Sequence, residues 1–145
     1  MSLPDDGVLA EAALLDAAEQ GRTQMRQTTS VYPDATIDDA YRIQAAWKEL
    51  RLARGERLVG HKIGLTSKAM QATMQISTPD SGFITDVMSF DASEAPVSII
   101  ANDHLDAKIE VELAFVLNAD LDSADVELPD VLAATDYVVP ALELI

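Results

Sequence analysis

Lys108-Ile109-Glu110-Val111-Glu112-Leu113-Ala114-Phe115-Val116-Leu117 alternates apolar and polar side chains through its first half and stays apolar to its end. A period of two is what a half-buried β-strand writes into a sequence. Glu110 and Glu112 then point to one face. Two residues of strand advance roughly 6.8 Å, so carboxylates at that spacing can lean toward a common point and share one hard divalent cation, about 2.1 Å from each oxygen. The ordinary alternative is a strand whose odd positions, Ile109, Val111, Leu113, Phe115 and Leu117, face a core while Lys108, Glu110 and Glu112 face water. Against it, the glutamate face continues through Ala114 and Val116, which are apolar. Glu143 sits in similar company, a lone charge inside Val138-Val139-Pro140-Ala141-Leu142-Glu143-Leu144-Ile145. Unpaired, it is expensive to bury. A cation shared with Glu110 and Glu112 removes that cost, and three carboxylates plus water suit Mg²⁺ or Mn²⁺ better than zinc.

The 145 residues, 48% of them hydrophobic, are enough for one domain with its own core. There is no cysteine, which excludes disulfides, thiolate metal sites and a thiol nucleophile. The sequence shows neither a secretory signal pattern nor an apolar run near the ~20 residues of a membrane span, so a soluble cytoplasmic protein is expected. The net charge of −15 is lopsided: residues 1–68 hold nine Lys/Arg against ten Asp/Glu, residues 69–145 one Lys against fifteen. Such a chain repels phosphate backbones, which argues against nucleic acid and anionic membranes as partners. An anionic substrate would need a local cation, and Lys62, Lys68 and a bound metal are the suppliers.

Met1-Ser2-Leu3 reads as an appended remnant. Pro4 to Gln20 reads as a helix ended by Gly21, with Val8, Leu9, Ala12, Ala13 and Leu15 toward the core. Thr36 is placed to cap a second helix, with Asp38 and Asp39 in its first turn and Ala40, Ile43, Trp47 and Leu50 recurring at helical steps until Gly55. Residues 58–63 read as a short strand, and Thr66 or Ser67 can cap a short helix running to Met74. From Ile76 onward, short apolar runs broken by Pro, Asp, Ser and Gly suggest mostly β structure. The apolar close at Leu144-Ile145 leads to the expectation that the natural protein continues.

Gly60-His61-Lys62-Ile63-Gly64-Leu65-Thr66-Ser67-Lys68 combines strand, glycine-bearing turn and helix start. Backbone N–H groups at such a change, near Leu65 and Thr66, are candidates to seat a substrate carboxylate, although glycine beside a strand is also commonplace. Lys62, flanked by glycines, can approach a ligand closely or simply face solvent. Ser77-Thr78-Pro79-Asp80-Ser81-Gly82 has turn chemistry, making Asp80 a turn residue unless a site draws it in. His61 and His104 lack ligand spacing to another histidine. No Ser/His/Asp signature and no phosphate-binding glycine loop is present.

Read together, Gly60-His61-Lys62-Ile63-Gly64-Leu65-Thr66-Ser67-Lys68-Ala69-Met70-Gln71, Pro79-Asp80-x-Gly82, Lys108-x-Glu110-x-Glu112 with the apolar run after it, and Ala134-Thr135-Asp136-Tyr137-Val138-x-Pro140-Ala141-Leu142-Glu143 resemble, in order and spacing, the 2-oxopent-4-enoate hydratase and 4-oxalocrotonate decarboxylase family of the fumarylacetoacetate hydrolase superfamily. Tyr32-Pro33, Ile37-x-x-Ala40-Tyr41 and Trp47 extend the likeness over almost the whole chain. The resemblance implies an α+β chain: an N-terminal helical region over residues 1–57, then, over 58–145, the start of a β-rich mixed-sheet catalytic fold incomplete in this chain. It implies a Mg²⁺ held by Glu110, Glu112 and Glu143, with Lys62 and Asp80 as acid–base residues. The implied reaction adds water to a 2-oxo-alkenoic acid or diacid such as 2-oxohept-4-ene-1,7-dioate, in aromatic breakdown. A decarboxylase of the 4-oxalocrotonate type and a non-catalytic assembly module are the competing readings. Relatives form homo-oligomers, so self-association is expected. One departure is Ser81, where close relatives usually carry an aromatic residue.

Overall fold

The computed structural model describes residues 2–145. It divides into two compact units, one ending at Asp103 and the other spanning His104–Ile145.

The first unit opens with α1 (Asp5–Gly21) and α2 (Ile37–Ala53). Leu3, Val8, Ala12 and Ile43 form its buried centre, with Leu15, Tyr32, Ala35, Ala46 and Trp47 packed around them. Leu9, Ala13, Ala40 and Leu50, expected inward, are exposed. The inward stripe is therefore narrower than the sequence suggests. Much of the helix contact is instead polar: Arg51 is buried, pairs with Glu19 and Glu56, and lies 5.4 Å from the centre of the Trp47 ring.

The expected cap is present: the Thr36 hydroxyl accepts from the Asp39 N–H at 3.2 Å, while Asp39 accepts from the Thr36 N–H at 3.1 Å. Asp39 does more than cap. Its fully buried carboxylate also accepts from the Ser2 hydroxyl, the Leu3 N–H and Arg42. These donors, Ser2 first and the Thr36 N–H next, hold the Asp39 carboxyl far below the usual carboxylate range. Ser2 and Leu3 are thus not a loose appendage; Met1 lies outside the described residues.

Glu11 is a second buried acid. Arg26 donates to it through Nη2 at 2.6 Å and Nη1 at 3.3 Å, and Thr28 donates at 2.8 Å. Arg26 outweighs the burial penalty, so the Glu11 carboxyl sits below its ordinary value. Glu11→Gln is expected to lower unfolding free energy by about 1–2 kcal/mol at neutral pH. Because the folded carboxyl titrates below the unfolded one, the wild-type advantage is complete above about pH 4.3 and disappears as pH falls through the folded value. Urea titrations of both proteins between neutral and acid pH check this.

Strands β1 (Leu58–Gly64) and β2 (Asp80–Thr85) pair antiparallel, joined through α3 (Lys68–Met74), which Ser67 caps. Phe83 of β2 is buried and meets the Trp47 ring edge-on at 5.2 Å, which fixes this sheet to α2. The single turns Thr28–Ser30, Asp86–Met88 and Ala101–Asp103 complete the unit.

The second unit is β3 (Ile109–Leu117) and β4 (Thr135–Leu144), antiparallel, with α4 (Leu128–Ala134) leading into β4. The expectation of mostly β structure after Ile76 overlooks α4, whose Glu127 and Asp130 form a capping box. The odd face of β3 is also not a core: Val111 is 82% exposed and Leu142, its cross-strand neighbour, 71%. Lys108 and Ile145 exchange both backbone hydrogen bonds. Counting along the register, Leu113 and Pro140 fall at a non-hydrogen-bonded pair, so the proline nitrogen faces the outer edge of β4 and the ladder to β3 loses nothing there. No helix among the described residues is long and apolar enough to cross a membrane.

Candidate metal centre and acid–base pair

In the second unit, antiparallel register sets Glu110 directly opposite Glu143, with Glu112 two residues further along the same face of β3. One carboxylate oxygen from each of the three can be chosen so that all lie within 4.8 Å of one another. Ala114, Val116, Val139 and Ala141 continue this face as an apolar surround. Glu110 and Glu112 are exposed and Glu143 half-buried. Three like charges held so close repel, and across a strand pair such opposition destabilises the ladder. A hard divalent ion matches the donor set: all oxygen, all anionic, with room for water. The residues therefore fit the implied Mg²⁺.

In the first unit, Lys62 pairs with Gly82 across the ladder and Gly64 with Asp80. The period of two puts all four on one face, opposite to the face that carries Phe83. Asp80 is not in a turn: it is the first residue of β2, because the chain bends through Ser77-Thr78-Pro79 and then enters the ladder. Its carboxylate lies over Gly64, and so does the Lys62 ammonium. A methyl at Gly64 would overlap Asp80 Oδ1 outright and stand 3.4 Å from Lys62 Nζ. The structure thus brings Lys62 and Asp80 to one point. Beside them the Ser81 N–H donates to the Tyr41 hydroxyl at 3.2 Å, and Gln44 Nε2 donates to the Ser81 carbonyl at 3.0 Å. These two α2 residues anchor the start of β2, and only the tertiary pairing reveals them.

Leu65 leaves β1 with φ of 53°, a left-handed conformation that costs a non-glycine residue of order 1 kcal/mol. The Leu65 carbonyl is held by Gln71 Nε2 at 2.7 Å, and Lys68 donates to Gln71 Oε1 at 3.1 Å. Gln71 is buried, and its spacing from Leu65 gave no advance sign of this role. Lys68 is therefore engaged within the turn. A shallow groove of about 400 Å³ beside α3 is lined by Lys68, Gln71, Ala72, Gln75, Ile76 and Ser77 and includes neither Lys62 nor Asp80.

No family model matches the chain. Among characterised proteins, a 2-oxo-hept-4-ene-1,7-dioate hydratase of Escherichia coli is 52% identical over 135 residues, covering 92% of this chain and 49% of the relative. A 4-oxalocrotonate decarboxylase of Pseudomonas sp. (strain CF600) is 39% identical over 99% of this chain and 53% of its own length. The solved 4-oxalocrotonate decarboxylase of Pseudomonas putida G7, complexed with magnesium and adipate, superposes with a TM-score of 0.88 at 36% identity, over 99% of this chain and 53% of that one. The chain is a homologue of these hydratases and decarboxylases. It spans about half the length of the curated family members it matches. The expected α+β character agrees with this family's mixed helix and strand content.

Proposed function

We propose that this chain supplies the metal ligands and acid–base residues of a Mg²⁺-dependent hydratase that adds water to a 2-oxo-alkenoic acid or diacid, such as 2-oxohept-4-ene-1,7-dioate, in aromatic catabolism. The observation that carries the reading is the gathering of Glu110, Glu112 and Glu143 on paired strands. The 52% identity to a hydratase of that diacid supports the substrate class. In this reading residues 1–57 are a helical lead-in and 58–145 the first portion of the β-rich catalytic domain, which accords with the half-length match to relatives.

Glu110, Glu112 and Glu143 would hold a divalent ion, which would supply Lewis acidity to the 2-oxo acid end of the substrate. Asp80 is the base: it accepts the proton that leaves the 2-hydroxyl of the dienol form and takes part in returning one to the carbon chain. Lys62 donates a proton or orients water, so that water oxygen bonds to C4 while a proton reaches C3. The product is a 4-hydroxy-2-oxo acid. Backbone groups at Leu65 and Thr66 seat a substrate carboxylate. The half-length match leaves recognition of a distal carboxylate to the remainder of the fold. We take the enzyme to be cytoplasmic and homo-oligomeric, acting on a small anion without nucleic acid or membrane.

The test is an ultraviolet assay of the full-length protein on freshly generated 2-hydroxyhepta-2,4-diene-1,7-dioate, with Mg²⁺ and with chelator. Mg²⁺-dependent loss of the diene absorbance with a 4-hydroxy-2-oxo product is expected. Release of CO₂ from 4-oxalocrotonate without hydration would favour the decarboxylase reading, for which the solved neighbours speak. Absence of either reaction from the folded, Mg²⁺-loaded protein would leave a non-catalytic assembly role.

A further inference from the structure

Lys62 and Asp80 stand diagonally on the β1–β2 ladder, and the residue directly across from each is a glycine: Gly82 opposite Lys62, Gly64 opposite Asp80. Cross-strand neighbours are ordinarily separated by two Cβ atoms, which hold long side chains upright from the sheet. Here both supports are missing. The Lys62 stem lies against Gly82, where a Cβ would come within 3.0 Å of Lys62 Cγ and 3.4 Å of Cδ. The Asp80 carboxylate lies over Gly64, where a Cβ would occupy the space of Oδ1 and approach Cγ to 3.3 Å. Neither glycine has the positive φ that would exclude alanine, whereas Gly55, at φ of 97°, does. What Gly64 and Gly82 provide is therefore space and not backbone freedom. Gly60, on the same strand, faces nothing within 4 Å.

We infer that Gly64 and Gly82 are positioning residues: each vacates the place into which the functional side chain across the ladder folds, so that the Lys62 ammonium and the Asp80 carboxylate meet above Gly64. The inference rests on the acid–base roles proposed above for Lys62 and Asp80. Alanine at Gly64 displaces the end of an exposed, flexible side chain and leaves the backbone alone, so the fold survives while Asp80 moves. At Gly82 the Lys62 stem has to lift by only a few tenths of an ångström, a smaller disturbance.

The experiment compares Gly60→Ala, Gly64→Ala and Gly82→Ala in the full-length protein, reading hydratase kinetics, the thermal midpoint and the carbon-13 resonance of the Asp80 carboxyl. Gly64→Ala is expected to lower kcat by about a hundredfold, with KM and midpoint little changed, and to shift the Asp80 resonance; misplacing a reacting group by about 1 Å has effects of this order. Gly82→Ala is expected to cost up to roughly tenfold and Gly60→Ala nothing, since the loss follows displacement of the group. In an Asp80→Ala background, Gly64→Ala should add no further loss, because the added methyl then meets only Lys62 Nζ, at an ordinary contact distance of 3.4 Å. An unshifted Asp80 resonance in Gly64→Ala, or a loss that persists in the Asp80→Ala background, would overturn the inference. Wild-type protein inactive on the dienol would instead fail the hydratase reading, while the resonance still decides whether Gly64 places Asp80.

Discussion

Glu112→Gln is expected to weaken Mg²⁺ binding by about two orders of magnitude, because the proposed site would lose one of three anionic ligands and divalent affinity follows the count of charged oxygens. Titration calorimetry, or Mn²⁺ paramagnetic resonance with Mn²⁺ as the hard-cation substitute, reads this without reference to turnover. The three carboxylates are set together by ladder register, and removing one charge leaves the other two still facing each other across β3 and β4. Stability supplies a second readout with opposite sign. In chelator, the variant should be as stable as wild type or slightly more so, since Glu112 lies diagonally from Glu143 and adds a third like charge to the opposed Glu110–Glu143 pair. In saturating Mg²⁺, wild type should gain more, because an ion bound only to the folded state stabilises it by mass action. Unchanged Mg²⁺ affinity in Glu112→Gln would remove Glu112 from the ligand set.

Lys62→Ala should lower turnover by roughly 10²- to 10⁴-fold while leaving Mg²⁺ affinity nearly intact, the range typical for loss of a positioned proton donor. The two halves of that expectation separate chemistry from architecture. Lys62 sits on β1, in the unit ending at Asp103, whereas the three glutamates belong to the His104–Ile145 unit. A Lys62→Ala variant that loses metal would make the lysine structural, and one that retains full turnover would take it out of the reaction. Lys62→Arg sharpens the test. It keeps the charge but replaces a compact ammonium by a planar guanidinium that holds its proton and presents its donors in a different geometry, so it should rescue little.

The elements that sequence rendered well are those whose signals are local. Thr36 with Asp39 announces the start of α2, Gly21 lies at the end of α1, and the alternation from Lys108 onward marks β3. The glutamate cluster was legible for the same reason: Glu110 and Glu112 share a face by strand period alone. Glu143 needed more: its lone charge in an apolar run points to a shared cation and the resemblance implies a ligand, but the register that sets it opposite Glu110 appears only in the structure. The turn chemistry of Pro79 and Gly82 suggests a turn at Asp80 unless a site draws it in, and pairing with Gly64 puts it in the ladder. The α4 helix escaped notice because seven residues show too few turns for a helical stripe; Glu127 and Asp130 around Pro129 were its only local signal. The diagonal of glycines beneath Lys62 and Asp80 is of a third kind. In its own segment Gly64 reads only as a neighbour of Lys62 and Gly82 only as turn chemistry, and each gains its meaning as a vacated place from the residue across the ladder.

Pro140 also bears on how this chain avoids misassembly. β4 is rich in valine and leucine, and its neighbour β3 exposes Val111 and Leu113, a texture that favours edge-to-edge addition of identical strands before folding is complete. With no N–H at Pro140 on the outer edge, a strand arriving from another molecule cannot run an unbroken ladder along β4, and growth is interrupted near its middle. The missing N–H at Pro140 thus interrupts a ladder added at that point of β4 while leaving untouched the bonds that hold Glu110 against Glu143.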